Sequence, residues 1–408
     1  MHKLLMLIRS PKNLVRKLLH RLLNERQKLK LLSFPDELTI KGKIAEIAST
    51  SKNNTVFLFP APSCPWGYMF QRPQQLAKAI AKFGYHVIYM VDTSFPGMPD
   101  WGVRGVKEVE KGVFLYNDGK SGSILFENFQ GKNLVIWQYW PHQQEMLSSI
   151  NYSIRTIKIY DCIDHLNTFI SYPTMLDDFQ TAITEADFVL ATAKGIYEEV
   201  VKMRPDCRLV QNGVSTDDFH PIKEESLEQI SQIRSKSDII IGYYGAIADW
   251  FDFELIDWIA NKNPGWTFLI VGEVYPSVQT EVNNIKKRKN IVMLPRLPYS
   301  DIPKLLLNFD VAIIPFVINE ITLNTSPVKV YEYMAGGKQV VTTDLPEVRD
   351  LPGVLTSQNR EEFESMLKRA IASKDQQEVK ELLLTSAKKH SWTNRVREVI
   401  HLIEQRQE

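Results

Sequence analysis

Cysteine is scarce in this chain. Its 408 residues include three, Cys64, Cys162 and Cys207, far apart and without a Cys-x-x-Cys pair. That spacing argues against a disulfide framework or a zinc site and fits a reducing, cytoplasmic compartment. Net charge is nearly absent as well: 49 Lys and Arg against 48 Asp and Glu leave +1, so no global field gathers nucleic acid. No stretch approaches the roughly 18 uninterrupted apolar residues of a membrane-spanning helix. The first apolar run, LLMLI, is too short for a secretory signal and lacks a small-residue cleavage site. The pattern G-x-G-x-x-G is missing, which sets aside a nicotinamide cofactor. The adjacent acids Asp217 and Asp218 read as loop surface, so no metal is expected. What is there is ordinary in amount: 44% hydrophobic and 24% charged residues, over a length that suits two or three domains.

Residues 1–34 stand apart. They carry Lys3, Arg9, Lys12, Arg16, Lys17, Arg21, Arg26, Lys28 and Lys30 against Glu25 alone, with Leu14, Val15, Leu18, Leu19, Leu22 and Leu23 at helical spacing. This predicts a basic amphipathic helix, which lies on an anionic membrane surface or packs on its own chain or a partner protein. From Thr55 onward short apolar runs alternate with amphipathic stretches. TVFLF, HVIYMV, NLVIW, TIKIY and DFVLA read as strands, with helices near 71–83, 174–184 and 194–203. The alternation predicts an α/β chain of doubly wound parallel sheets, with ligands at the carboxyl ends of the strands. The expected organisation is a domain over 50–215, a charged link over 216–237, a second domain over 238–390 and a closing helix over 391–408.

The most informative stretch is SPVKVYEYMAGGKQVV, Ser326 to Val341. Ser326 suits an N-cap, Pro327 the first helical position, and Gly336-Gly337 a helix stop before a buried strand. Lys329 then falls where the helix dipole disfavours a cation, a conflict that a bound anion resolves, and Glu332 lies one turn on along the same face. An exposed Lys-Glu pair is the plain alternative. Other strand ends offer further candidates. Gly67 and Arg72 follow the first strand, and Asp161 and Asp164 follow TIKIY, where a carboxylate can take a proton or simply cap a helix. Gly245 permits close approach to a ligand, and Trp250 can stack on a sugar ring or anchor its helix. Asn319, Glu320 and Thr322 are polar groups after the strand VAIIPF.

The segment PFVINEITLNTSPVKVYEYMAGGKQVVTTDLPEV, Pro315 to Val348, resembles the donor-binding segment of glycosyltransferases with the GT-B fold, family 4 and the bacterial teichuronic-acid type in particular. WGYMFQRPQ (66–74) and QNGVSTDDFHP (211–221) are similar to sequences of the same group. The resemblance implies two Rossmann-like domains facing across a cleft, with the last helix returning to the first. It implies transfer of a sugar from a nucleotide diphosphate to a glycan or lipid-linked acceptor, metal-independent and without a cofactor, at the inner face of the cell membrane. Glu332 would bind the ribose hydroxyls, and Asn324, Thr325, Ser326, Pro327 and Val328 would form the phosphate loop. Arg296 and Leu297 lie in the loop that would border the nucleobase. The family's first glutamate is replaced by Asn324. Its usual Arg-Lys pair is replaced around Ala248, Trp250 and Phe251, which leaves the diphosphate charge to Lys329 with Arg72 or Arg296. Asp161, then Asp164, is the expected catalytic carboxylate. Two rivals share the fold: a sugar-nucleotide epimerase or phosphorylase, and an inactive scaffold of a polysaccharide-synthesis complex.

Overall fold

The computed structural model describes residues 34–92, 97–120, 122–129, 133–148, 150, 156–168, 172–219 and 227–407. The basic amphipathic segment expected over 1–34 lies outside them, save its last residue.

The first half contains β1 (Thr55–Phe59), β2 (His86–Met90), β3 (Gly105–Glu110), β4 (Val113–Asn117), β5 (Asn133–Gln138), β6 (Thr156–Cys162), β7 (Phe188–Ala191) and β8 (Arg208–Leu209). They form one sheet in the order β3-β4-β2-β1-β5-β6-β7-β8, parallel except for the β3–β4 pair. Every residue of β1 is buried, and successive side chains feed opposite faces. Phe57 and Phe59 join Tyr89, Val135 and Trp137 on one side. Val56 and Leu58 join Ile88, Leu134 and Ile136 on the other.

The second half contains β9 (Ile239–Tyr244), β10 (Trp266–Val271), β11 (Ile291–Leu294), β12 (Val311–Ile314), β13 (Val340–Thr343) and β14 (Val354–Ser357). Their order is β11-β10-β9-β12-β13-β14, parallel throughout. Phe309 lies against the middle of β9, where a Cβ on Gly242 would stand 2.3 Å from its ring. The helix Trp392–Gln407 leaves this half and buries Trp392, Val396, Val399, Ile400 and Ile403 in the core of the first sheet. The chain passes between the halves twice at one point, where Val214 bridges Ser391. There a Cβ on Gly213 would sit 2.6 Å from the His390 carbonyl, so this crossing requires a glycine.

Several elements depart from the sequence reading. A helix over Glu37–Thr50, capped by Asp36, which accepts from the Thr39 amide at 2.9 Å, precedes β1 and buries Ile40, Ile44, Ile47 and Ala48. The hairpin of β3 and β4 is antiparallel, and its outer strand is largely charged and exposed, as an unpaired sheet edge requires. After Leu345 the chain adds β14 as an edge strand before its helices. The interval 216–237 holds two short helices, Thr216–Phe219 and Glu228–Arg234, anchored by buried Phe219 and Ile230.

Beneath the crossing lies a buried ion pair. Arg72, 3% exposed at the start of the Arg72–Ala81 helix, reaches Asp161, 0% exposed at the end of β6. The pair is two-pronged, Nε to Oδ2 at 2.8 Å and Nη2 to Oδ1 at 3.0 Å, and Trp137 Nε1 donates to the same carboxylate at 2.9 Å. Arg72 Nη1 goes on to the Gln211 carbonyl and to Asn212 Oδ1. Removing one partner of such a pair costs about 3–5 kcal/mol, because the other charge stays buried and unmatched. Arg72→Ala is therefore expected to lower the apparent Tm by on the order of 10 °C. A scanning-calorimetry midpoint unchanged by the substitution would show that the pair does not hold the domain together.

Candidate active site in the interdomain cleft

The helix at the centre of the second domain spans Val328–Ala335, one residue later than the spelling predicts. Pro327 occupies the cap position and no side chain caps the helix. Lys329 is therefore the second helical residue, in the first turn, where the Val330 amide donates to the Pro327 carbonyl at 3.1 Å. Gly337, at φ +67°, takes the left-handed conformation that ends the helix, and the Lys338 amide returns to the Tyr333 carbonyl at 2.9 Å.

Lys329 extends between aromatic rings, its Nζ 4.8 Å from the centre of Phe316 and 5.6 Å from that of Tyr243. Burial pulls its pKa down to about 8, against the charge of Glu332, which pulls it up. Gly245, at the end of β9 with φ +139°, lies directly against it: a Cβ there would stand 2.9 Å from Lys329 Cε. The structure thus brings Gly245 and Lys329 together, two residues that share no sequence signal. Trp250 is half-buried against the second core and meets the Tyr275 ring at 5.8 Å, the anchoring role.

Glu332 is 4% exposed and accepts a hydrogen bond from Tyr244 Oη, with the Tyr299 hydroxyl beside it. Burial raises its pKa. In the preceding loop most polar side chains serve the loop itself. Asn319 caps the short helix Glu320–Leu323, accepting from the Thr322 amide at 3.0 Å. Asn324 donates to the Glu320 carbonyl at 2.8 Å, and Thr325 to the Ile321 carbonyl at 2.7 Å. Ser326 Oγ is buried without a hydrogen-bond partner. Val328 packs toward the core of the first domain and Leu297 into that of the second.

The two carboxylates after TIKIY separate. Asp161 is held by Arg72 and Trp137 inside the first domain with no exposure, so it has no access to an acceptor hydroxyl. By the same contacts Arg72 is not available to a diphosphate. Asp164, two residues beyond the end of the strand, is half-buried, and burial together with the Asp161 charge raises its pKa to about 6. Gly67 adopts φ +85°, and its open face meets Pro99 of its own domain.

The loop from Pro60 to Gln71 is pinned by glutamines: Gln74 Nε2 donates to the carbonyls of Cys64, Pro65 and Met69, and Gln143 Nε2 to those of Pro60 and Pro62. This loop touches the opposite domain. Tyr68 Oη donates to Glu273, Arg296 lies 4.3 Å over the Tyr68 ring, and Phe70 stacks on Tyr299 at 5.2 Å. Arg296 thus serves the rim of the cleft, within 3.6 Å of Glu273. On the far side Asn167 donates to Glu320 at 2.8 Å, and buried Glu347 accepts from the Gln211 amide at 2.8 Å and from the Lys194 backbone. These contacts join the two domains at the rim and on the far side.

Sequence reasoning passed over several residues that the fold gathers here. Trp140 and His142 follow β5, stacked at 5.2 Å, and burial lowers the His142 pKa against the pull of Asp92 and Asp178. Their place just past a strand end was the available signal. Tyr244, Tyr299 and Glu347 had none, because each matters through a partner distant in sequence, Glu332 for the two tyrosines and Gln211 for the glutamate.

Residues 240–373 match the family described as Glycosyl transferases group 1. The putative teichuronic acid biosynthesis glycosyltransferase TuaH of Bacillus subtilis (strain 168) is 27% identical over 230 residues, 53% of this chain and 57% of that protein. The alignment thus spans little more than half of that relative. Sucrose-phosphate synthase from Thermosynechococcus elongatus superposes with a TM-score of 0.64 at 15% identity, over 86% of this chain and 98% of its own. Anabaena HepE in complex with UDP and glucose superposes with a TM-score of 0.60 at 14% identity, over 86% and 100%. The chain has the GT-B fold and resembles the GT-B glycosyltransferases of the teichuronic-acid type.

Proposed function

We propose that this protein moves a sugar from a nucleoside diphosphate to a glycan or lipid-linked acceptor, as a glycosyltransferase of bacterial surface-polysaccharide synthesis. The observation that carries this reading is Lys329. It is a cation in the first turn of a helix, packed between two aromatic rings, and among the described residues no carboxylate lies within ion-pair distance of it. Holding an unpaired ammonium half-buried between two rings is costly, and a helix N-terminus repels it. A diphosphate set over the first turn reverses both terms. The match of the second domain to a glycosyltransferase family and the UDP held by a structural neighbour support the same reading.

In the reaction, charge grows on the diphosphate as the bond to the sugar breaks. The amides of the first turn and the Lys329 ammonium meet that charge inside a closed cleft, where such contacts count for most. Asp164 serves as the base toward the acceptor hydroxyl, its pKa of about 6 leaving it ionised yet basic enough near neutrality. Glu332, held by Tyr244, takes the ribose hydroxyls. No metal or cofactor enters this scheme. The basic segment 1–34 would hold the enzyme at the inner membrane face, where lipid-linked acceptors are met. Among the described residues no helix is long and apolar enough to cross a membrane.

Lys329→Ala is expected to lower turnover about 100-fold or more, the usual cost of removing one such donor, with Tm nearly unchanged. Full turnover with a nucleotide sugar in this variant would remove the phosphate assignment. The pH dependence has a defined sign. Lys329 is charged below about pH 8 and loses its proton above it, so affinity for the diphosphate should fall as pH rises through 8. Titration calorimetry at pH 6.5, 8 and 9.5 measures this, and Lys329→Ala should flatten the trend. Asp164 must be ionised to act, so kcat/KM should rise through about pH 6 and form a bell with the fall near 8. Asp164→Asn should lose about 100-fold in kcat/KM together with the acid limb. An acid limb that survives the substitution would assign the base elsewhere.

A further inference from the structure

Asn212 is the point where three parts of the molecule meet. Its Oδ1 accepts from Arg72 Nη1 at 3.3 Å, which ties it to the buried pair of the first domain. Its backbone carbonyl accepts from Arg395 Nε of the closing helix at 3.4 Å. Its Nδ2 donates across the cleft to the Ser326 carbonyl at 2.6 Å. The side chain is buried, so each of these bonds is made away from competing water.

The Ser326 carbonyl is an unusual place to hold. It belongs to the peptide that leads into Pro327, whose ring restricts φ, here −73°. Once Asn212 sets the plane of that peptide, a single free torsion, ψ of Pro327, separates it from the Val328 amide, the first N–H of the helix. The direction of the first-turn amides, and with them the root of Lys329, is thus set from the opposite domain.

We infer that Asn212 is a positioning residue for the donor diphosphate: it couples the Arg72–Asp161 pair of the first domain to the aim of the first turn of the Val328–Ala335 helix. This rests on the donor-site reading above. It adds that phosphate recognition is completed only when the two domains are docked, because the hydrogen bond that sets the turn crosses the cleft. A residue of the crossing segment therefore acts on a ligand through the Ser326 carbonyl.

Asn212→Asp separates the two ends of this link. The new carboxylate keeps an acceptor for Arg72 and lies near a second guanidinium, Arg395, so the fold should be retained. It has no donor for the Ser326 carbonyl. Asn212→Ala removes both ends. The measurement is the ratio of affinities for a nucleoside diphosphate and for its parent nucleoside, taken by calorimetry and competition with UDP, GDP and ADP and with uridine, guanosine and adenosine. Tm is recorded for each protein.

For the diphosphate that the parent protein binds, the ratio should fall about tenfold in both variants, the effect of one lost hydrogen bond. Nucleoside affinity should stay within twofold, and Tm should fall in Asn212→Ala alone. A general loosening of structure would weaken nucleoside and diphosphate alike, and that result would overturn the assignment. So would an unchanged ratio in folded Asn212→Asp, or an Asn212→Asp protein that fails to fold. A parent protein that binds none of the three diphosphates would remove the donor-site reading itself, and this inference with it.

Discussion

The bidentate pair between Arg72 and Asp161 is the interaction on which the arrangement of the molecule depends. Two full charges with almost no exposure can persist only if every lone pair and proton is matched. The matching is done by groups from separate elements: Trp137 on β5, the Gln211 carbonyl and Asn212 at the crossing between domains. The pair therefore fixes where the first sheet ends and where the chain leaves it. The closing helix completes the same locus, with the Trp392 ring 5.9 Å from the Arg72 guanidinium. A surface pair of the same residue types would carry little of this, since solvent and side-chain entropy offset most of its attraction.

From that locus the cleft is built outward. Asn212 carries the constraint to Ser326, and Glu347 carries a second one from the donor domain back to the backbone at Lys194. At the rim, Tyr68, Phe70 and Arg296 join the first loop to the second domain through a hydrogen bond, a ring stack and a cation–ring contact. These are small, separate contacts rather than one continuous apolar interface. Such seams open and close at modest cost, which suits the proposed entry of a nucleotide-sugar donor.

The electrostatics divide along the same seam. Lys329 of the second domain loses stabilisation by burial and, among the described residues, has no carboxylate within ion-pair distance, while Asp164 of the first is pushed toward neutrality by burial and by Asp161. An anion at Lys329, as proposed, would raise its pKa again, and the raised pKa of Asp164 makes it the readier proton acceptor. Opposed shifts on the two sides of one cleft are what acid–base and charge-stabilising chemistry need in common.

Much of the donor half was legible in the sequence alone. Proline, the paired glycines and the apolar run after Lys338 act through local backbone physics, so the helix and strand after Ser326 could be read from spelling, and the out-of-place Lys329 with them. The alternation from Thr55 likewise settled the α/β class, because strand and helix periods are local. The Glu37–Thr50 helix, the β3–β4 hairpin and β14 were not read, being short or edge elements whose patterning is weak. What the tertiary structure alone decided was which polar residue does which task. Asp161 and Asp164 are three residues apart and look alike in sequence, yet one is paired with Arg72, 89 residues away, and the other is half-buried with a raised pKa. Asn212 stood in the sequence only within the segment 211–221, and the fold sets Arg72 on one side of it and Ser326 on the other. Burial and long-range hydrogen bonding assign such roles, and both depend on distances through space that no spacing along the chain encodes.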